Sequence, residues 1–269
     1  MPMQSRLAQF EDSWTTSIGA AVGQEFVMFR DRKLHHDFKD ASWFELYLHG
    51  ITGRSFSDAE LRVLNAMWTY TSYPDPRIWN NRVAALAGTV RSTAGLAVGA
   101  AIGVSEAEIY GAKPIYVALE TLQQAREWVQ TGKPLDEFLT HELRRWRKIA
   151  GFGRPKALGD ERIEPLLDLM AHVGYPRGPY VELAFAIDRF LHSGRWRFKM
   201  NYAGLVAAVC GDMGFTPKQA FLYSIAGLLA GFLPCFMDAT EHPLGSFFPM
   251  RCDRIHYHGP APRSWNHPE

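Results

Sequence analysis

An excess of charge of either sign is missing from this sequence: 29 Lys and Arg stand against 28 Asp and Glu, leaving a formal net charge of +1. No long-range field for nucleic acid or an anionic membrane follows from such a balance, so any anion recognition has to be local. Cysteine is scarce as well. Cys210, Cys235 and Cys252 are odd in number and widely spaced, which excludes a disulfide framework and points to a reducing cytoplasmic setting. The N-terminus shows no basic segment followed by an apolar signal core, in keeping with that expectation.

Other features are absent too. The turn GFG (151–153) is not followed by the lysine-serine pair of a nucleotide loop, so ATP dependence is not expected. His35, His36 and Asp37 are the nearest approach to a metal cluster, and adjacent side chains diverge on a helix, so no metal is expected. The stretch AFLYSIAGLLAGFLPCFM (220–237) approaches the length of a membrane span, but Pro234 breaks it and no comparable segment accompanies it. It reads as a core helix. The Trp and Tyr side chains fall at helical core spacing and not as base-stacking platforms, so neither membrane nor nucleic acid is expected as a partner.

What is present is helical. At 269 residues with 47% hydrophobic content, the chain can bury a large core. Apolar residues recur at helical spacing over 56–70, 117–130, 135–150, 181–192 and 216–232. Ser57 with Glu60 has the spacing of a reciprocal helix cap, and Asp160 stands as a candidate N-cap before another apolar run. EFVMFRD is the one strand-like run and predicts at most a small ribbon. Residues 82–104 are almost all small, which predicts a single helix, interrupted chemically by Arg91, that is either sandwiched between other helices or pairs with its copy across a two-fold axis, the second being the preferred reading. The pattern as a whole predicts an all-α fold.

Five segments, HGITGRSFSDAE (49–60), DPRIWNNRVAALAGTVRST (75–93), KIAGFGRPKALGDERIEPLL (148–167), MNYAGLVAAVCGDMGFTP (200–217) and RIHYHGPAPR (254–263), follow one another in an order that resembles the citrate synthase superfamily. They look most like its short citryl-CoA lyase branch. The resemblance implies an all-helical homodimer, with a large domain of residues 1–112 and 206–269 and an inserted small domain of residues 113–205. The cleft between them would take a coenzyme A thioester as substrate, with no tightly bound cofactor.

The family's catalytic set is not carried over intact. Its two histidines and aspartate fall at Tyr110, Arg154 and Asn201, and these three are the catalytic candidates. An amide has no basic lone pair near neutral pH, and a phenol with an ordinary pKa of about 10 is a donor, so the set lacks an obvious base. Arg154 is a permanent planar cation suited to a carboxylate or an oxyanion.

The keto-acid pocket is altered in the same way, with Pro76 after Asp75 and Leu228 where the family has an arginine. Arg162 matches the family's carboxylate-binding arginine. Asp75, Arg77, Arg82, Arg254 and Tyr257 complete the substrate-binding candidates, and Lys156 is the candidate for coenzyme A phosphate. For the DPRIWNNR segment the alternative is a turn at Asp75-Pro76 with Asn80 capping the next helix. These departures make oxaloacetate an unexpected partner. The readings left open are a divergent enzyme that makes or breaks a C–C bond in a coenzyme A thioester, a silent acyl-CoA binder or partner of a homologous subunit, and hydratase or thioesterase chemistry in the same cleft.

Overall fold

The computed structural model describes residues 11–260, apart from 24, 109, 154–158, 195 and 248. The chain begins with an antiparallel sheet, β1 (Gly19–Val22), β2 (Phe26–Phe29) and β3 (Arg32–Lys33), in that order, with Ala20 paired to Met28 and Phe29 to Arg32. This is the small ribbon that EFVMFRD predicts. A short helix α1 (Leu34–Asp37) leads into α2 (Trp43–Thr52) and α3 (Asp58–Thr71). Both longer helices start on a reciprocal cap: Ser42 with Glu45 opens α2, and Ser57 with Glu60 opens α3 as the sequence indicates.

Residues expected to form one small-residue helix form two, α4 (Trp79–Thr89) and α5 (Ala94–Ser105). The break falls at Arg91, whose φ of 58° lies in the left-handed region. Its guanidinium there donates to the carbonyls of Gly88, Ala239 and His242, satisfying acceptors that a helix end leaves open. Arg91 is therefore a helix stop and a clamp onto the C-terminal region, not a mid-helix charge.

Then follow α6 (Lys113–Gln130), α7 (Leu135–Trp146), α8 (Ile163–His172), α9 (Pro179–Ser193) and α10 (Tyr202–Asp212). The last helices are α11 (Pro217–Gly227) and α12 (Leu229–Glu241); the apolar stretch breaks at Leu228 and not at Pro234, which lies inside α12, and the described C-terminal stretch carries a 3-10 turn at Cys252–Arg254. Residues Pro217–Glu241 are the one stretch among the described residues with the length and composition of a membrane span, and half of its apolar window is buried inside the protein.

The main core joins α2, α3 and α6 to α11. At its centre, α10 is buried along nearly its whole length, as expected of a helix that is apolar all round. Each Leu or Val it buries contributes about 1.5–3 kcal/mol. A second cluster joins α4, α5 and α12 through Ala84, Ala97, Ala101, Leu228, Phe232 and Phe236. Small residues set that spacing, since a Cβ on Gly88 would stand 3.0 Å from the Cβ of Ala239. On α5, Ala97, Ala101 and Ser105 face inward, while Leu96 is 69% exposed and Gly95, Gly99 and Gly103 look onto open space.

Candidate active site

The N-terminus of α10 is the structural anchor of the site. Asn201 is its N-cap: Oδ1 accepts from the Gly204 N–H at 3.2 Å, while Nδ2 donates to the Gly153 carbonyl at 2.9 Å. The Asn201 N–H donates to the Gly151 carbonyl at 3.0 Å, and the Gly153 N–H donates to Lys199 at 2.7 Å. The glycine turn is thus stitched to the start of α10. The close approach requires glycine: Gly151 has φ 85°, and a Cβ there would lie 2.7 Å from the Gly204 Cα.

Asp160 makes the second anchor. Its side chain is fully buried, and its Oδ2 accepts from the Tyr202 N–H at 2.8 Å. The Arg162 guanidinium grips the same carboxylate in a two-pronged pair, Nε to Oδ1 and Nη2 to Oδ2, both at 2.8 Å. The expectation that Asp160 caps the following helix does not hold. Arg162 occupies the N-cap position of α8 without a side-chain cap, because the Asp160 carboxylate is turned inward to the positive end of α10. Arg162 also lies over the ring of Tyr202 at 4.5 Å. Arg154 and Lys156 lie outside the described residues, in the segment that these two anchors bracket.

Tyr110 sits in the loop between α5 and α6, half-buried, with its hydroxyl 3.4 Å from Asn80 Oδ1 and its ring 5.7 Å from that of Trp79. Burial pushes its phenol up to about 12, against the opposing pull of the Arg162 charge. Tyr110 and Arg162 are therefore electrostatic neighbours, and the phenol is a neutral donor at physiological pH. Asn80 is 1% exposed and does not cap α4. The N-cap position belongs to Ile78, which makes no side-chain cap, and Asn80 instead accepts from the Asn81 N–H and donates to Ser105 Oγ at 3.0 Å, Ser105 in turn donating to the Ala101 carbonyl. This buried relay fixes the acceptor that meets Tyr110. Sequence reasoning treated Asn80 only as a cap. The adjacent amides at 80 and 81, on a helix of otherwise small residues, were the available signal.

Asp75 and Arg77 pair with one another in three side-chain contacts of 2.6 to 3.0 Å, which hold the Asp75 carboxyl below its usual range, and the Arg77 side chain is 83% exposed. That satisfied surface pair does not compensate a buried carboxylate. Arg82 is exposed on α4, and Arg254 and Tyr257 are exposed in the C-terminal stretch. The structure thus sets Arg162 over Tyr202, the residue after Asn201, with Tyr110 within electrostatic reach of Arg162, and leaves Arg77, Arg82, Arg254 and Tyr257 at the surface of the single chain. Leu228 is 7% exposed, and with Gly111, Ala112 and Ser224 it lines a small internal cavity of about 30 Å³. A run of exposed cations, Arg144, Arg145, Arg147 and Lys148, leads from α7 into the glycine turn, and Lys148 lies 3.9 Å from Glu108. No three metal-ligating side chains converge among the described residues.

This helical architecture is the citrate synthase-like fold. The chain is similar to the structure of citryl-CoA lyase from Hydrogenobacter thermophilus, with a TM-score of 0.81 and 18% identity over 93% of this chain and 96% of that one. It is also similar to ATP citrate lyase from Methanosaeta concilii in complex with (3S)-citryl-CoA, at TM-score 0.74 and 16% identity, covering 96% of this chain but 44% of that one. Citrate synthase from Thermotoga maritima matches 84% of this chain and 60% of its own at TM-score 0.65 and 16% identity. No protein-family model matches the sequence, and neither does any curated protein.

Proposed function

We propose that the chain is a divergent citrate synthase-like enzyme that makes or breaks a C–C bond in a coenzyme A thioester without using oxaloacetate. The observation that carries this reading is the electrostatic coupling of a neutral phenol, Tyr110, to Arg162, in a fold shared with a citryl-CoA lyase. Two fixed donors of this kind stabilise the negative oxygen that develops on a thioester carbonyl during enolisation or retro-cleavage. Asp160 neutralises much of the Arg162 charge, and Leu228 is apolar, so the partner of the thioester carries less negative charge than a dicarboxylate. Lys156 together with Arg144, Arg145 and Lys148 supplies cations for the coenzyme A phosphates. We further propose that the chain forms a homodimer through the exposed face of α5, where open glycines allow close helix contact.

One observation favours the second reading, a silent binder or the partner of a homologous active subunit. Both polar ends of the Asn201 amide are committed to structure, and Tyr110 is held in its protonated form, so neither of these candidates removes a proton. The test is mass spectrometry of the coenzyme A thioesters, together with release of free thiol, after incubation with a panel of acyl-CoAs with and without keto acids. Turnover that Arg162→Gln lowers at least ten-fold supports the enzyme. Saturable binding with no new thioester and no thiol formed from any pairing points to the silent binder, and no coenzyme A binding at all sinks the enzyme and the binder and leaves the partner of a homologous subunit.

A further inference from the structure

A second cavity, of about 290 Å³, opens between Arg32 of β3 and helices α1, α2 and α3. None of Tyr110, Asn201 or Arg162 lines it. Its apolar lining is Phe38, Phe56 and Leu61, and Arg32 and Arg54 stand in its wall. Neither guanidinium is hydrogen-bonded to a carboxylate among the described residues. Arg32 Nη2 donates to the hydroxyl of Ser55 and Arg54 Nη1 to the carbonyl of Met213, both at 2.9 Å. Each also lies against an aromatic face of this lining, Arg32 over Phe38 at 5.5 Å and Arg54 over Phe56 at 5.2 Å, which fixes the planes of the two forks.

Two of the three acids around the cavity, Glu45 and Asp37, are hydrogen-bonded, and the third, Asp40, is exposed. Glu45 Oε2 takes both the N–H and the hydroxyl of Ser42 in the α2 cap, Asp37 takes the Lys33 N–H and His36, and Asp40 lies 3.8 Å from Lys39. Their charges still discourage a polyanion. The wall also contains His49, 3% exposed and set between the rings of Phe29 and Phe38. Its Nδ1 lies 3.4 Å from the Arg54 carbonyl. Its Nε2 is buried without a hydrogen-bond partner among the described residues, being 3.3 Å from Asp31 Oδ1 but misaligned for a bond. Interiors rarely leave such a group unpaired, and the exceptions mark places where something else is accommodated.

We propose that this cavity is a second binding site, separate from the cleft, for a small monocarboxylate with an apolar body. The apolar part lies against Phe38, Phe56 and Leu61, and the carboxylate lies between the forks of Arg32 and Arg54, whose remaining N–H groups match its two oxygens. The size of the cavity accommodates an acid of several carbons and exceeds what a lone inorganic anion would fill.

The test is calorimetric titration of the full chain with hexanoate, hexanamide and inorganic phosphate, in the presence of saturating coenzyme A, with the ring resonances of His49 followed by NMR. The site predicts saturable hexanoate binding that shifts the His49 resonances, with hexanamide and phosphate at least ten-fold weaker. Arg32→Gln, which removes only exposed and side-chain contacts, should weaken hexanoate about ten-fold, the loss of one charge-assisted contact, and leave the coenzyme A titration unchanged. Arg54→Gln should do the same to hexanoate, but Arg54 also holds Met213, so Arg32→Gln decides. Absence of saturable binding, an unmoved His49, binding that Arg32→Gln does not weaken, or equal affinity for hexanamide or phosphate each overturns the proposal. The coenzyme A arm reports on the cleft independently.

Discussion

Tyr110 and Asn201 occupy positions where the family resemblance implies proton-moving groups, and each is held in a way that makes it something else. Folding raises the Tyr110 phenol from 10 to about 12, so the neutral form is the one the fold favours. The stability this contributes is complete below pH 10 and is lost as pH rises from 10 to 12. Spectrophotometric titration of tyrosinate should show a component near pH 12 that is absent from Tyr110→Phe. A Tyr110 component near pH 10 or lower would contradict the burial described here. Asn201 acts as cap and latch at once, so Asn201→Ala should cost about 1–2 kcal/mol in urea unfolding. A change below a few tenths of a kcal/mol would mean that its two hydrogen bonds are not formed in solution. The sequence revealed that these positions differ from the family, but the Tyr110 contact to Asn80 and the Asn201 latch onto Gly153 join residues 30 and 48 apart, and no local pattern encodes them, unlike the Asn201 cap on Gly204.

At the scale of the elements, helix periodicity located α3, α6, α7 and α9 to within a few residues, because each buries one stripe, whereas the segment 216–232 spans the end of α11 and the start of α12. The break between α4 and α5 was not legible. Ala, Gly, Ser and Thr have no large apolar stripe to show phase, and the left-handed turn at Arg91 is stabilised by carbonyls about 150 residues away, those of Ala239 and His242. Asp160 was misread for a related reason: a local cap and a long-range acceptor for α10 use the same carboxylate, and tertiary structure chose the second. The junction of Gly151 with Gly204 has no room for a side chain. Gly204→Ala should therefore lower stability by roughly 2–3 kcal/mol and loosen the turn before residue 154. An unchanged unfolding midpoint would show that the junction is open.

For the whole molecule, the exposed face of α5 is apolar and uncharged, with Leu96 69% exposed and its glycines unobstructed. Light scattering should give a dimer, and Gly99→Arg a monomer with retained helical circular dichroism; a monomeric parent chain would remove the two-fold axis from the account. The all-α architecture was readable because helix signals dominate and strand signals are confined to one run. How the helices gather was less so: α6, within the segment expected to form the small domain, packs on α10 and α11, and those contacts arise from shape complementarity between distant segments. The central claim is that the citrate synthase-like cleft still accepts a coenzyme A thioester. Calorimetric titration of the full chain with acetyl-CoA, longer acyl-CoAs and free coenzyme A measures this most directly. The account predicts saturable binding of at least one acyl-CoA, weakened by Arg162→Gln and accompanied by a rise in melting temperature. No binding by any member of the series, at concentrations to the millimolar range, would contradict it.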